Sequence, residues 1–319
     1  DIGGTGENVR ALAVGDLDRD GYLDIVTGQS ENGDDVWVWR NDLHDGGDGN
    51  LWDDAWDTVV DVGYLGRNVN SLVLGDFDRD GDLDIAGVTN TGYRHNVFIF
   101  ENDGTPFDGS MLRIDVGNDL TNDFRALCTG DFDNDGDLDL ATGREGSGND
   151  VAVWENTLIH RKAEVNEEHK VDGSFDSAFS VYAADVDGDG DIDVLGAALW
   201  DGDITWWENT DGSGTSWTEH TVYGSFDGAR SVYAEDVDGD GDIDVLGAAY
   251  NADDITWWEN TDGSGTSWTE HTVDDNFWNA NSVYAEDVDG DGDMDVLGAA
   301  VGDDDITWWE NTDGSGTSW

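Results

Sequence analysis

The sequence predicts an all-β chain, a six-bladed β-propeller of four-stranded antiparallel blades. Three observations carry that expectation. A nine-residue pattern, D-x-D-x-D-G-x-x-D, occurs six times, beginning at Asp16, Asp76, Asp131, Asp185, Asp236 and Asp287. The copies lie 60, 55, 54, 51 and 51 residues apart, and self-similarity on that scale marks a propeller, solenoid or array. Between copies, short β-branched and aromatic runs are bounded by Gly, Asp, Asn and Ser clusters, which is the pattern of short strands.

The fifth unit shows the elements most clearly. Its first strand is expected at 231–235 (SVYAE), leading into the acidic loop, and its second at 244–249 (DVLGAA). The third follows at 254–259 (DITWWE), and the fourth at 268–273 (WTEHTV) after the turn at 260–265. Four strands in roughly 50 residues make one propeller blade. The repeat units are then 1–62, 63–116, 117–171, 172–222, 223–273 and 274–319, all in one domain spanning 1–319. Helical periodicity is weak everywhere, with one candidate at 161–169.

The six copies use the length of the chain, which favours six blades over seven. By alignment Trp319 matches Trp217, while Asp1 and Ile2 match Thr221 and Val222. The outer strand of the last blade is therefore expected to be split between the termini or completed by a neighbouring chain. The opening at Asp1, without Met, is expected to reflect a mature or trimmed product.

Charge excludes several functions. The chain has 75 Asp+Glu against 13 Lys+Arg, a formal net charge of −62. Nucleic-acid binding needs clustered Lys and Arg, and anionic membrane surfaces attract basic segments. No apolar run is long enough for membrane insertion as a helix. A hydrophobic content of 37% with 16 Trp is too rich for a disordered acidic tail. The single Cys, Cys128, excludes a disulfide framework.

The loops supply the chemistry. Carboxylates at positions 1, 3, 5 and 9 of a tight turn repel one another unless they take up protons or a cation. Asp gives short, hard oxygen ligands, the Gly at position 6 permits the turn, and position 7 offers a backbone carbonyl. The candidate ligands of the first loop are Asp16, Asp18, Asp20, Tyr22 and Asp24; of the second, Asp76, Asp78, Asp80, Asp82 and Asp84. The third offers Asp131, Asp133, Asp135, Asp137 and Asp139; the fourth, Asp185, Asp187, Asp189, Asp191 and Asp193. Asp236, Asp238, Asp240, Asp242 and Asp244 serve the fifth, and Asp287, Asp289, Asp291, Asp293 and Asp295 the sixth.

An all-oxygen, flexible loop suits Ca²⁺ better than Mg²⁺ or a transition metal, so about six Ca²⁺ are expected, one per blade. An EF-hand is excluded, because its twelfth position would be Glu. Here that position is Thr27, Gly87, Thr142, Gly196, Gly247 or Gly298.

These loops, each followed by LDIVTG, LDIAGV, LDLATG or IDVLGA-type strands, resemble FG-GAP/VCBS-type repeats, the calcium-bearing blades of integrin α-chain propellers and of secreted microbial proteins. The Phe-Gly/Gly-Ala-Pro signature itself is replaced by Gly196-Ala197-Ala198, which brings the microbial branch nearer. The resemblance implies calcium loops between the first and second strands on one face. It places ligand recognition on the other face, in an extracellular or cell-surface setting.

On that other face, two groups of residues are candidates for binding glycan or extracellular protein. Phe175, Phe226 and Phe277 recur at one loop position, with Trp200, Tyr250, Trp278 and Tyr93 nearby. Six residues before each acidic loop stand Arg10, Asn70, Arg125, Phe179, Arg230 and Asn281, so that Arg10, Arg125 and Arg230 are candidates for an anion site. The Trp pairs at 206–207, 257–258 and 308–309, with Trp37 and Trp39, are expected in the blade interfaces.

No H-E-x-x-H or G-x-S-x-G motif is present, so catalysis is not expected. Glu219-His220 and Glu270-His271 fall on outer strands, where solvation is expected. The expected function is a secreted, non-catalytic recognition or adhesion module. The alternatives are a subunit of an extracellular filament or array, self-assembled by strand completion, and an accessory domain of a polysaccharide-acting enzyme.

Overall fold

The computed structural model describes residues 8–30, 35–41, 59–64, 68–90, 96–117, 123–145, 151–156 and 165–319. These residues form six sheets in chain order, and each sheet is a propeller blade. The first holds Asn8–Gly15, Asp24–Ser30, Asp35–Trp39 and Val59–Tyr64; the second, Val69–Gly75, Asp84–Thr89, Val97–Glu101 and Leu112–Gly117. The third holds Asp123–Gly130, Asp139–Glu145, Val151–Asn156 and Val165–Asp172.

The fourth blade holds Ala178–Ala184, Asp193–Ala198, Asp203–Asn209 and Trp217–Tyr223; the fifth, Ala229–Glu235, Asp244–Ala249, Asp254–Asn260 and Trp268–Asp274. The sixth has three strands, Ala280–Glu286, Asp295–Ala300 and Asp305–Trp309. The expected contribution of Asp1 and Ile2 to a fourth strand lies outside the described residues. The helix expected at 161–169 is overturned where it can be seen, because Val165–Asp172 is the outer strand of the third blade. The Glu, His and Lys of that run satisfy helix propensity equally well, and sheet pairing decides against it.

Contacts divide the chain into two compact units. One comprises Asp1–Leu127, Asp137–Asp139 and Asn156–Glu167; the other, Cys128–Gly136, Leu140–Glu155 and Glu168–Trp319. In the first, Val26, Val36 and Val38 of blade one pack with Val69, Leu72, Ile85 and Phe98 of blade two. In the second, Ile204 and Trp206 of blade four pack against Ala229, Val232 and Trp258 of blade five. The pattern then repeats, with Ile255 and Trp257 of blade five against Phe277, Ala280 and Val283 of blade six.

Two bulges recur with this packing. In the first strand, pairing skips one residue between Val9 and Ala11, Val69 and Ser71, Ala178 and Ser180, Ala229 and Ser231, and Ala280 and Ser282. The skipped residues are Arg10, Asn70, Phe179, Arg230 and Asn281. A second bulge lies on the fourth strand, where Ile204 and Thr205 pair with Tyr223 and Thr221 and leave Val222 unpaired. An unpaired bulge residue can turn its side chain away from the ladder, and Val222 turns into the core.

The expected Trp pairs are core residues in blades four and five, where Trp206, Trp207, Trp257 and Trp258 are all buried. Their fit explains the residue at loop position 12. A Cβ on Gly196 or Gly247 would stand 2.8 or 2.9 Å from the ring of Trp207 or Trp258, so only glycine lets the indole lie on the strand. Where threonine stands instead, the contact becomes polar. The Nε1–H groups of Trp39 and Trp154 donate to Thr27 Oγ1 and Thr142 Oγ1, each at 3.0 Å.

Phe175, Phe226 and Phe277 correct the sequence expectation of exposed loop aromatics. All three are buried, and each sets its edge on a tryptophan, Trp207, Trp258 or Trp309, at 4.9–5.1 Å between centroids. Phe226→Ala is expected to cost about 3 kcal/mol, the low end for a buried Phe. Urea unfolding checks this, and an unchanged midpoint would mean that Phe226 is not core.

Candidate metal centres

Each acidic loop joins the first and second strands of its blade and is held by its own carboxylates. The position 1 carboxylate accepts the N–H of the position 6 glycine through Oδ2, as Asp76 does from Gly81 at 2.9 Å and Asp236 from Gly241 at 3.0 Å. Position 3 accepts the N–H of position 5, and position 5 that of position 7: Asp187 Oδ1 from Asp189 at 3.2 Å, Asp189 Oδ1 from Asp191 at 2.9 Å.

Position 9 is the deepest member of the loop. The Oδ2 of Asp193 accepts the Val186 N–H and its Oδ1 the Asn209 N–H, both at 2.9 Å, and the residue is 1% exposed. In five loops the position 2 side chain anchors the loop in the core, with Leu17, Phe77, Phe132, Val186 and Val237 all buried, while Val288 of the sixth is exposed.

This folding gathers carboxylate oxygens of three positions. Ligand-type atoms of positions 1, 3 and 9 lie within 4.8 Å of each other in the groups Asp16–Asp18–Asp24, Asp76–Asp78–Asp84, Asp131–Asp133–Asp139, Asp185–Asp187–Asp193 and Asp236–Asp238–Asp244. Position 5, expected with them, lies outside these groups. At position 7, Asp82 sends its carboxylate away from its own loop, to Arg19 Nε at 2.9 Å.

Three of the loops hold an unsatisfied carboxylate oxygen. Asp76 Oδ1, Asp131 Oδ1 and Asp185 Oδ1 are buried without a hydrogen-bond partner. Burial pushes Asp24 up to about 6, Asp84 and Asp244 to about 7, and Asp193 to about 8. Two backbone N–H bonds to each oppose that rise, and the neighbouring aspartates add to it. Asp78, Asp133, Asp187 and Asp238 are raised in the same way, burial first. Oxygen-only donors, partly buried and lacking partners, fit a hard divalent cation.

Two sets of residues at these loops escaped the sequence reading. Position 4 is left-handed in every loop, with φ of 59° at Arg19, 57° at Arg79, 60° at Asn134 and 73°–81° at Gly188, Gly239 and Gly290. A non-glycine residue there is strained, and the strained side chains reach the next loop. Arg19 meets Asp82, and Asn134 Nδ2 donates to Asp191 Oδ1 at 2.8 Å. The second set is a glutamate at the end of the third strand. Glu155, Glu208 and Glu259 stand beside Asp133, Asp187 and Asp238, near enough to raise their carboxyls.

Each of these glutamates is held by a histidine: His169, His220 and His271 at 3.2, 2.9 and 2.9 Å. His220 and His271 also stack on Trp206 and Trp257 at 4.5 and 4.4 Å. The solvated role expected for these histidines gives way to a structural one.

The other expected candidates lie at the opposite end of each sheet. Trp200 and Trp278 are 67% and 55% exposed. Tyr250 is covered by Arg230, whose guanidinium carbon lies 3.8 Å from the ring centroid. Arg230 Nη1 also donates to Asn281 Oδ1 at 2.7 Å, Arg10 Nη1 to Asn70 Oδ1 at 2.9 Å, and Arg125 Nη2 lies 3.9 Å from Asp123 Oδ2. Tyr93 lies outside the described residues. Cys128 is buried and its thiol is pushed up to about 12, as expected of a core residue.

Comparison with known proteins agrees with the fold. The family model described as FG-GAP-like repeat matches residues 76–142, 131–196, 185–247 and 236–298. No curated protein matches the sequence. Among solved structures, the Dos1 propeller is similar at 10% identity with a TM-score of 0.58, over 94% of this chain and 67% of that one. At that identity the likeness shows the propeller fold alone. No helix among the described residues is long and apolar enough to cross a membrane.

Proposed function

This chain belongs to the FG-GAP-like repeat family, and from that premise we propose that it is a calcium-stabilised, non-catalytic recognition module acting outside the cell. The observation that carries the metal reading is the set of buried, partnerless oxygens at Asp76, Asp131 and Asp185, each grouped with two further carboxylates. Ca²⁺ suits such a donor set because it accepts many oxygens in flexible geometry, while Mg²⁺ demands a near-ideal octahedron and holds its water. The loops would act as clamps: the carboxylates at positions 1, 3 and 9 would hold the ion, which would tie the exit of the first strand to the entry of the second. Titrating Ca²⁺ into the chelator-stripped chain by isothermal calorimetry tests this. Saturable heat for Ca²⁺ with far weaker heat for Mg²⁺ is expected, and no Ca²⁺ heat would overturn it.

Recognition is assigned to the end of the blades opposite these clamps, where Trp200 and Trp278 present exposed rings. Such rings suit the apolar faces of sugars or an extracellular protein. Trp200→Ala and Trp278→Ala are expected to change stability by less than about 0.5 kcal/mol while abolishing retention on a glycan array. Retention that survives both changes counts against this face.

A second reading, self-assembly into a filament or array, is favoured by one observation. Among the described residues the sixth blade ends on its third strand, Asp305–Trp309, with no fourth strand paired to it, whereas the other five blades have four. An open strand edge recruits strands from other chains. Size-exclusion chromatography in calcium decides: a single monomer peak removes this reading.

A further inference from the structure

The first loop departs from the other five at one residue. In every blade the third strand leads to an asparagine whose backbone N–H caps the position 9 carboxylate, as Asn41 caps Asp24 and Asn209 caps Asp193, both at 2.9 Å. That shared bond fixes the equivalence of the residue before it. It is Glu101, Glu155, Glu208, Glu259 and Glu310 in blades two to six, and Arg40 in blade one.

The substitution reaches the loop. Arg40 Nε donates to Asp18 Oδ2 at 2.8 Å, and Nη2 lies 3.6 Å from Asp20 Oδ2. Asp18 belongs to the grouped carboxylates of its loop, and the guanidinium sits over the Phe107 ring at 5.5 Å, which holds it in place. Where Glu208 adds a negative charge beside Asp187, Arg40 adds a positive one beside Asp18, a local difference of two units. The Asp16 Oδ1 bond to the Asp20 N–H, at 3.1 Å, recurs at Asp236 and Asp287, so the guanidinium alone sets the first loop apart.

We propose that Arg40 replaces the metal in the first loop, so that the chain takes up Ca²⁺ at five loops and blade one is closed by an internal ion pair. This rests on the reading of the other loops as calcium sites. A guanidinium bonded to a ligand oxygen competes for its lone pairs and repels an incoming divalent ion. The six loops are therefore not equivalent, and the first stays folded at calcium concentrations that empty the rest.

Calcium stoichiometry of the full chain tests the proposal, by calorimetry or equilibrium dialysis. The unmodified protein is expected to bind five ions, Arg40→Glu six, and Glu208→Arg four. Should Arg40→Glu fail to fold, the unmodified count and Glu208→Arg still decide. Six ions in the unmodified chain, or a count that neither substitution alters, overturns the role of Arg40 and leaves the calcium loops standing. No calcium bound by any of the three overturns the calcium reading itself.

Discussion

Removing calcium is expected to lower the thermal unfolding midpoint by roughly 5–20 °C, read by circular dichroism with and without excess chelator at about pH 7.5. Extracellular calcium modules have dissociation constants of about 10⁻⁴–10⁻³ M. Near 1 mM Ca²⁺ each site then contributes roughly 0.4–1.4 kcal/mol by mass action. Five such sites supply roughly 2–7 kcal/mol, against a net stability of about 5–15 kcal/mol for a folded protein. An unmoved midpoint would mean that the carboxylates are solvated without an ion.

The pH dependence separates the two forms. Asp84, Asp193 and Asp244 sit at about 7, 8 and 7 in the folded chain, above the ordinary 3.8. Without an ion the folded state therefore binds more protons than the unfolded one between about pH 4 and pH 8, and stability falls as pH rises through that window. Calcium needs the ionised carboxylates, so the loaded protein gains stability over the same window. Calcium-depleted protein is expected to melt higher near pH 5 than near pH 8, and loaded protein the reverse.

Asn260→Ala is expected to cost roughly 4–6 kcal/mol by urea unfolding, the largest effect of any single substitution considered for this chain. The side chain is fully buried. Its Nδ2 donates to Val186 O in blade four at 3.1 Å and to Ile243 O in its own blade at 3.2 Å, and its Oδ1 accepts the Gly265 N–H at 2.9 Å. Truncation strands three backbone groups, two of them in buried bonds, at about 1–3 kcal/mol for each buried group, and removes one polar link between two blades. Asn209 and Asn311 make the same set of bonds, to Phe132 O and Ile192 O, and to Val237 O and Met294 O. A loss below about 1 kcal/mol would show that water takes over these bonds.

Much of the architecture was legible because the repeat carries its own punctuation. In the fifth blade the expected second strand, 244–249, is the observed Asp244–Ala249, and the other three differ by one or two residues at their ends. The loop carboxylates were equally plain, since Asp spacing and the position 6 glycine are local. What stayed hidden depends on register and packing. Glu208 reaches Asp187 only because the third strand runs back beside the second. Phe226 looks like a loop aromatic until Gly247 is seen to make room for Trp258 and for the Phe226 ring upon it. Arg40 carries no signal in the sequence, because its significance lies in the loop carboxylate it touches, Asp18.

The bulge in the first strand of five blades has a consequence for how this repeat tolerates change. Its extra residue takes no part in the ladder, so its identity is uncoupled from the pairing that aligns the acidic loop a few residues on. The chain has used that freedom: Arg10, Asn70, Phe179, Arg230 and Asn281 occupy one site in five blades, while the bulge recurs unchanged. Arg10 and Arg230 each face an asparagine from the following blade's copy of that site, so two neighbours can be rewritten as a pair. These five blades thus carry an interchangeable slot, open to mutation or grafting, with the clamp below it left intact.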